Sequence, residues 1–136
     1  MRKSKSAYMN YVCPHCWHTL NNCTCDLFPP YHLIFIDKNI QEHIRILNEK
    51  GYRTVGCCEG HMDVCINTYI AFADNYCKDV GVPDGFKYNK KRRIVTYTYS
   101  TRLKKKDMEE IKREKLEILL EWCKSLPNRN NESMEK

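Results

Sequence analysis

The architecture of this chain follows first from the run Leu33-Ile34-Phe35-Ile36. A short, continuous run of aliphatic and aromatic residues is typical of a buried strand. A helical pattern comes next, in which Asn39 followed by Glu42 resembles a capping box and Gly51 is placed to end the helix. The apolar residues that share one face of this helix are Ile40, Ile44 and Leu47.

A second strand is predicted after the helix, at Tyr52–Cys57. A strand, a helix and a strand in this order normally form a right-handed crossover between parallel strands. Thr68–Ala73 and Ile94–Tyr99 alternate in character and predict two further strands, and Asp107 is expected to cap a long last helix. We therefore predict an α+β fold: a mixed β-sheet in the order β-α-β-β-β-α, with two helices packed on one face.

A cysteine cluster precedes this domain, at Cys13, Cys16, Cys23 and Cys25. Thiolates in two close pairs are typical ligands of a tetrahedral Zn²⁺ ion, so we predict a zinc knuckle at residues 11–26. Because the second pair is an unusually tight C-x-C, His15 or His18 is an alternative fourth ligand. Disulfide pairing or redox chemistry is a further alternative.

The compartment bears on that choice. Disulfides belong mainly to secreted or periplasmic proteins. The start of the chain lacks the apolar segment of a signal peptide, and its 9 cysteines cannot all pair internally. We expect a cytoplasmic, reduced protein without a membrane span.

Composition divides the chain into three regions. The basic first residues and the knuckle occupy 1–28, the α+β domain is expected at 29–126 after Pro29-Pro30, and a polar, flexible tail is expected at 127–136. With 42% hydrophobic residues, one domain of ordinary size can form a core.

A second group of chemically active residues lies in the stretch from Gly56 to Cys65. If the first two strands are parallel neighbours, Asp37 and the turn after residue 57 leave the same edge of the sheet, where sites collect in α/β proteins. Asp37, Cys58, Glu59 and His61 would then share one cleft.

Three interpretations of this stretch stay open. It holds a second zinc ion through Cys57, Cys58, His61 and Cys65; or it is the active site of a small enzyme, with a thiolate nucleophile or with Glu59 and His61 in acid–base roles; or its cysteines are small core residues and His61 lies at the surface.

These motifs together carry a resemblance. A zinc-ribbon-like start, a strand ending in Cys57-Cys58-Glu59-Gly60-His61 and a further apolar strand resemble small uncharacterised proteins of bacterial and bacteriophage genomes. The resemblance implies a zinc-containing protein of that origin and no particular activity.

The charge of +6 is concentrated in the segment from Lys87 to Lys106, which has no Asp or Glu. Cations around a strand that also carries two tyrosines predict contacts with phosphates and bases of nucleic acid. The residues predicted to make them are Lys90, Lys91, Arg92, Arg93, Tyr97, Tyr99, Arg102, Lys104, Lys105 and Lys106.

We therefore expect a zinc-dependent, non-enzymatic protein that contacts RNA or DNA. One alternative is a phage-type regulator that binds an acidic or nucleic-acid-handling host protein. The small enzyme described above is the other. A solvated basic hairpin without a partner, in which Tyr97 and Tyr99 simply pack against the last helix, would explain the same residues.

Overall fold

The structure, a computed structural model, describes residues 9–13, 17–18, 34–61 and 66–129. Its strands are β1 (Met9–Val12), β2 (Ile34–Asp37), β3 (Thr54–Cys58), β4 (Asn67–Phe72), β5 (Lys87–Asn89) and β6 (Ile94–Thr98). Its α-helices are α1 (Gln41–Glu49), α2 (Cys77–Val80) and α3 (Lys105–Ser125), and a 3₁₀ helix (Lys38–Ile40) precedes α1. The predicted α+β class is confirmed.

The strands form two antiparallel sheets. β3, β4, β6 and β5 lie side by side in that order in a four-stranded sheet, whereas β1 and β2 form a separate two-stranded ladder. The prediction of a mixed sheet with parallel strands at 33–36 and 52–57 is therefore wrong for the described part of the chain. The hydrogen-bonding edge of β2 is taken by β1, a short strand whose sequence had shown no strand pattern.

The core lies between the four-stranded sheet and the two longer helices. On β4 the side chains of Thr68, Ile70 and Phe72 are buried, in the alternation expected of a strand with one covered face. Together with Val95 of β6, these three side chains form the part of the core that the sheet contributes. The helical residues that complete the core are Ile44 and Leu47 of α1 and Leu116, Leu119 and Cys123 of α3. Both helices thus pack on one face of the sheet.

Two predicted helix starts are wrong. Helix α1 begins at Gln41 after the 3₁₀ helix and has no side-chain cap, because the Asn39 side chain donates to Glu59 instead. Helix α3 begins at Lys105, so Asp107 lies within its first turn and does not cap it. Gly51 follows α1 with φ 93°, as predicted for the residue that ends that helix.

The end of α3 is fastened to α1 by Lys50. Its ammonium group donates to the carbonyl oxygens of Cys123 at 3.0 Å, Lys124 at 2.5 Å and Leu126 at 2.8 Å. These carbonyls lie at the end of α3, where the helical amides run out, and the Cys123 carbonyl also accepts the Leu126 amide at 3.4 Å. A cation also suits the negative end of the helix dipole.

Within the described residues, no helix combines the length and the apolar character needed to cross a membrane. The predicted division at residue 28 is not tested by this fold, although β1 of the first region pairs with β2 of the second. The predicted tail lies outside the described residues from 130 onward.

Candidate metal centre

Asp37 is the centre of the candidate site. It ends β2 and is 5% exposed. Its Oδ2 accepts a hydrogen bond from the backbone amide of Glu59 at 2.9 Å and lies 3.0 Å from Nε2 of His61. The carboxylate therefore joins the end of β2 to the turn that follows β3.

Cys58 completes a group of three potential ligands. It is the last residue of β3 and is 8% exposed. One ligand atom each from Asp37, Cys58 and His61 lies within 4.8 Å of the other two. This group could hold a metal ion, since thiolate, imidazole and carboxylate are all zinc ligands.

Glu59 lies beside this group but faces other partners. Its carboxylate accepts hydrogen bonds from the backbone amide of Asn39 at 3.0 Å and from the Asn39 side chain at 2.8 Å, and it forms an ion pair with Lys112 of α3. Burial alone would raise the pKa of Glu59, but the bonds from Lys112 and Asn39 outweigh burial and hold the pKa below its ordinary value. Glu59 is thus a buried, fully engaged anion.

Gly60 lets the turn fit against β4 and the chain after β6. It has φ 98°, a conformation that side chains disfavour. A Cβ atom there would lie 3.0 Å from both Thr68 Oγ1 and Tyr99 Cε2. The Thr68 hydroxyl in turn donates to the Glu59 carbonyl at 2.8 Å and lies 2.6 Å from the Tyr99 hydroxyl. These contacts fix where Cys58 and His61 stand relative to each other.

Cys57 is directed away from this group. Its register partner is Ile70, and its side chain packs against the core. Burial, with a further contribution from the Asp37 and Glu59 carboxylates, raises the pKa of the Cys57 thiol to about 12. A neutral thiol is a poor ligand and a poor nucleophile. Of the two adjacent cysteines, only Cys58 belongs to the candidate centre.

The structure therefore brings together three of the four residues predicted to share a cleft, and Glu59 adjoins them through its backbone. Of the second zinc set, Cys58 and His61 meet, Cys57 does not join them, and Cys65 lies outside the described residues. The predicted parallel strands are absent, yet the ends of β2 and β3 still meet. The meeting of these residues was predicted from parallel pairing of the two strands, and the fold brings them together without that pairing.

The predicted knuckle is only partly described. Cys16, Cys23 and Cys25 lie outside the described residues, as does His15. Cys13 is 2% exposed; its amide donates to the His18 carbonyl at 3.0 Å, and its carbonyl accepts from the Trp17 amide at 2.7 Å. Cys13 thus stands at a tight turn, and the knuckle stays a prediction.

The predicted nucleic-acid residues form two groups. The first, which we call the turn cluster, joins β5 to β6; the second, the helix cluster, lies around the start of α3. All of these cations are exposed: Lys90, Lys91, Arg92 and Arg93 in the turn cluster, and Arg102, Lys104, Lys105 and Lys106 in the helix cluster.

The two predicted stacking tyrosines face the core instead. Tyr99 is 1% exposed, which corrects the expectation that its ring is presented to bases. Tyr97 contacts the rings of Tyr99 at 5.0 Å and Phe86 at 5.9 Å, and the Lys115 ammonium lies 4.7 Å from its ring centre. Packing on this side of β6 was the alternative left open by the sequence.

Sequence reasoning missed Asn39 and Lys112 as partners of the site. Asn39 had been interpreted as a helix cap, and Lys112 is one of many cations on α3. Only the packing of α3 beside the 3₁₀ helix brings both to Glu59. No spacing in the sequence could have indicated this meeting.

Comparisons with known proteins do not place this chain in a family. No family model, no curated protein and no solved structure matches it.

Proposed function

We propose that this protein binds Zn²⁺ and that Asp37, Cys58 and His61 supply three of the ligands. The observation that carries the proposal is that these three side chains, from two separate sheets, offer ligand atoms within 4.8 Å of one another. A mixed set of thiolate, imidazole and carboxylate suits zinc, whereas calcium and magnesium take oxygen ligands almost alone.

The size of the group supports the proposal. With bonds of about 2.0 to 2.3 Å, two ligands of a tetrahedral zinc ion lie roughly 3.3 to 3.6 Å apart. His61 and Asp37 are already 3.0 Å apart, and no pair in the group exceeds 4.8 Å. Binding therefore requires side-chain shifts of about an ångström, which needs no change in the fold.

The ion would act as a brace between the two sheets. β2 and β3 are not paired in a ladder of hydrogen bonds. Asp37 is the last residue of β2, and Cys58 is the last residue of β3. A metal bound to both would add a second link between the sheets, beside the hydrogen bond from the Glu59 amide to Asp37. Metal binding of this kind contributes directly to folding stability.

A structural role fits this site better than catalysis. Among the described residues, the other acid beside it is Glu59, which is 2% exposed and already bound by Asn39 and Lys112, so it is not free to move a proton. The Cys58 sulfur accepts the Gly60 amide at 3.4 Å. The acid–base role predicted for Glu59 is therefore not supported by its surroundings.

The amino-terminal knuckle is a second zinc site in this proposal. Thiolates of Cys13, Cys16, Cys23 and Cys25 would bind an ion independently of the centre at Asp37, with His15 or His18 as alternative ligands. The burial of Cys13 in a tight turn supports it. Both sites require reduced thiols and so a reducing compartment.

The test is the zinc content of purified wild-type protein and of C58A and H61A, measured by elemental mass spectrometry. Each variant should hold about one zinc per chain less than the wild type, because either substitution removes a ligand of one site. The control is C77A, which removes a buried thiol far from the site and should leave the ratio unchanged.

Circular dichroism must show that each variant is folded. Should C58A fail this check, D37N offers a milder substitution, and it should weaken zinc retention under dialysis against a chelator. The proposal is refuted when folded C58A and H61A both retain the wild-type zinc ratio.

A further inference from the structure

The exposed cations around β6 have no acidic partners in the part of the chain that the structure describes. Among the described residues, none of the members of the turn cluster or the helix cluster lies within salt-bridge distance of a carboxylate, whereas Arg45 and Lys112 are paired. The sequence between Lys87 and Lys106 contains no acidic residue that could neutralise them. The result is a surface of uncompensated positive charge.

The turn cluster has a defined shape. Arg93 adopts φ 58°, and its guanidinium donates to the Ala73 carbonyl at 3.0 Å. The Arg92 amide donates to the Asn89 side chain at 3.0 Å. A turn held by these bonds presents Lys90 and Lys91 from a fixed backbone, which lowers the entropy lost when they bind a partner.

The two clusters lie at opposite ends of β6. From Arg93 to Tyr99 the extended chain spans roughly 20 Å, since a strand rises about 3.3 Å per residue. That span corresponds to about six base-pair steps of duplex nucleic acid. A backbone crossing β6 lengthwise would meet cations at both ends.

The surface between the clusters is the outer face of β6, which carries Ile94, Thr96 and Thr98. Val95 and Tyr97 face the core, so Thr96 and Thr98 face the other side of the sheet, next to Lys87 and Asn67 in the ladder register. Both longer helices pack on the opposite face. Hydroxyl and amide groups therefore lie between the two clusters, beside the side chains of Ile94 and Tyr69 on the same face.

The lysines of the helix cluster lie at the end of α3 that disfavours cations. Lys104 directly precedes α3 and makes no side-chain capping bond, and Lys105 and Lys106 are the first two residues of the helix. Cations at this end of a helix are unfavourable because the helix dipole is positive there. An anionic partner would reverse this penalty.

From these observations we propose that the outer face of β5 and β6, with the turn cluster and the helix cluster at its ends, is a binding surface for the phosphate backbone of nucleic acid. Recognition is through charge and hydroxyl contacts with phosphates and sugars. It does not use stacking on Tyr97 or Tyr99, which face the core.

The test uses fluorescence anisotropy with two labelled probes, a single-stranded RNA and a duplex DNA, each long enough to span both clusters. Wild-type affinity should fall steeply and log-linearly as KCl is raised from about 50 to 200 mM, as counterion release requires. Replacing the four turn cations by Gln, or the four helix-cluster cations by Gln, should each weaken binding about tenfold at the lower salt and reduce the salt slope.

A matched control removes charge elsewhere. R53Q/K78Q/K124Q replaces three exposed cations outside the surface and should change affinity less than threefold. If net charge alone mattered, it would weaken binding as much as K104Q/K105Q/K106Q, which removes the same number of charges. K104Q/K105Q/K106Q should weaken binding nearly as much as replacing all four helix-cluster cations. Its Tm should rise, because the unfavourable interaction of these cations with the helix dipole is removed.

The proposal is overturned if the wild type binds neither probe at low salt, or if the control variant weakens binding as much as K104Q/K105Q/K106Q does. A protein that stays bound after nuclease treatment of a cell extract, through the same cations and in the absence of probe binding, would equally overturn it. That result would favour an acidic host protein as the partner. Preference for one probe decides between RNA and DNA.

Discussion

The backbone amide of Glu59 donates a hydrogen bond to Oδ2 of Asp37 at 2.9 Å, and this bond connects the two sheets of the protein. Both groups are buried, so neither has water as a ready substitute. The same carboxylate oxygen meets His61 at 3.0 Å. One side chain therefore positions the turn on which two of the three candidate ligands are carried.

The first prediction concerns that bond in metal-free protein. Asp37→Ala leaves the buried Glu59 amide without its acceptor and should lower the free energy of unfolding by about 1–3 kcal/mol. Asp37→Asn keeps an acceptor oxygen and should lose clearly less. Urea unfolding in the presence of a chelator measures both. Equal losses in the two variants would show that the amide bond is not what Asp37 contributes.

The second prediction compares two glycines with positive φ. Gly60→Ala should cost about 2–5 kcal/mol, because a methyl group there would press on Thr68 and Tyr99 in addition to straining the backbone. Gly81→Ala meets no atom within 4 Å and should cost about 1–3 kcal/mol for its backbone conformation alone, with φ 74° and ψ −159°. Thermal unfolding of the two variants tests the difference, and similar Tm values would contradict the close packing at Gly60.

The third prediction concerns the fastening of α3 to α1. Lys50→Met removes the ammonium group that bonds three carbonyls at the end of α3 and should lower the free energy of unfolding by about 1.5–3 kcal/mol. Lys78→Met changes an exposed lysine of α2 and should be nearly neutral. Faster hydrogen exchange confined to the end of α3 should accompany the first change. An unaltered exchange pattern would rule out the fastening role.

The fourth prediction is a pH dependence carried by His43. Its Nε2 lies 2.7 Å from the Leu116 carbonyl, which can only accept, so Nε2 carries a hydrogen. Burial lowers the pKa of His43 below 6.5, and the bond to Leu116 opposes this only in part. The folded state therefore binds fewer protons than the unfolded state as pH falls below 6.5.

The contribution of His43 to the free energy of unfolding should therefore be fully present above pH 6.5. It should decrease below that pH by up to about 1.4 kcal/mol per pH unit. The measurement is urea unfolding between pH 7.5 and 5.5 for the wild type and His43→Gln. The variant should be less stable at pH 7.5 but should lose less on acidification. Parallel curves would assign the pH dependence to other groups.

Sequence patterns predicted the local elements of this fold better than their pairing. Alternation placed β4 and β6, and helical spacing placed the buried faces of α1 and α3, because these patterns report which side chains meet the core. β1 and β5 were missed because they are too short and polar for alternation to be visible. β1 and β2 are separated by more than twenty residues in the sequence. A local sequence pattern therefore does not reveal that they pair.

The candidate site shows the same division. The density of Cys, His and acidic residues after β3 identified Cys58 and His61, and the position of Asp37 at a strand end drew it into the same hypothesis. The choice of Cys58 over Cys57 needed the register with β4, since adjacent residues on a strand face opposite ways. The contacts of Asn39 and Lys112 with Glu59 could be identified only once the packing of α3 was known.

The most direct measurement of the central claim is anomalous diffraction at the zinc absorption edge from crystals of the zinc-loaded protein. Our account predicts a peak bounded by Asp37, Cys58 and His61, at about 2.0–2.3 Å from one atom of each. A map in which zinc appears elsewhere in the chain while these three side chains surround no anomalous density would contradict it.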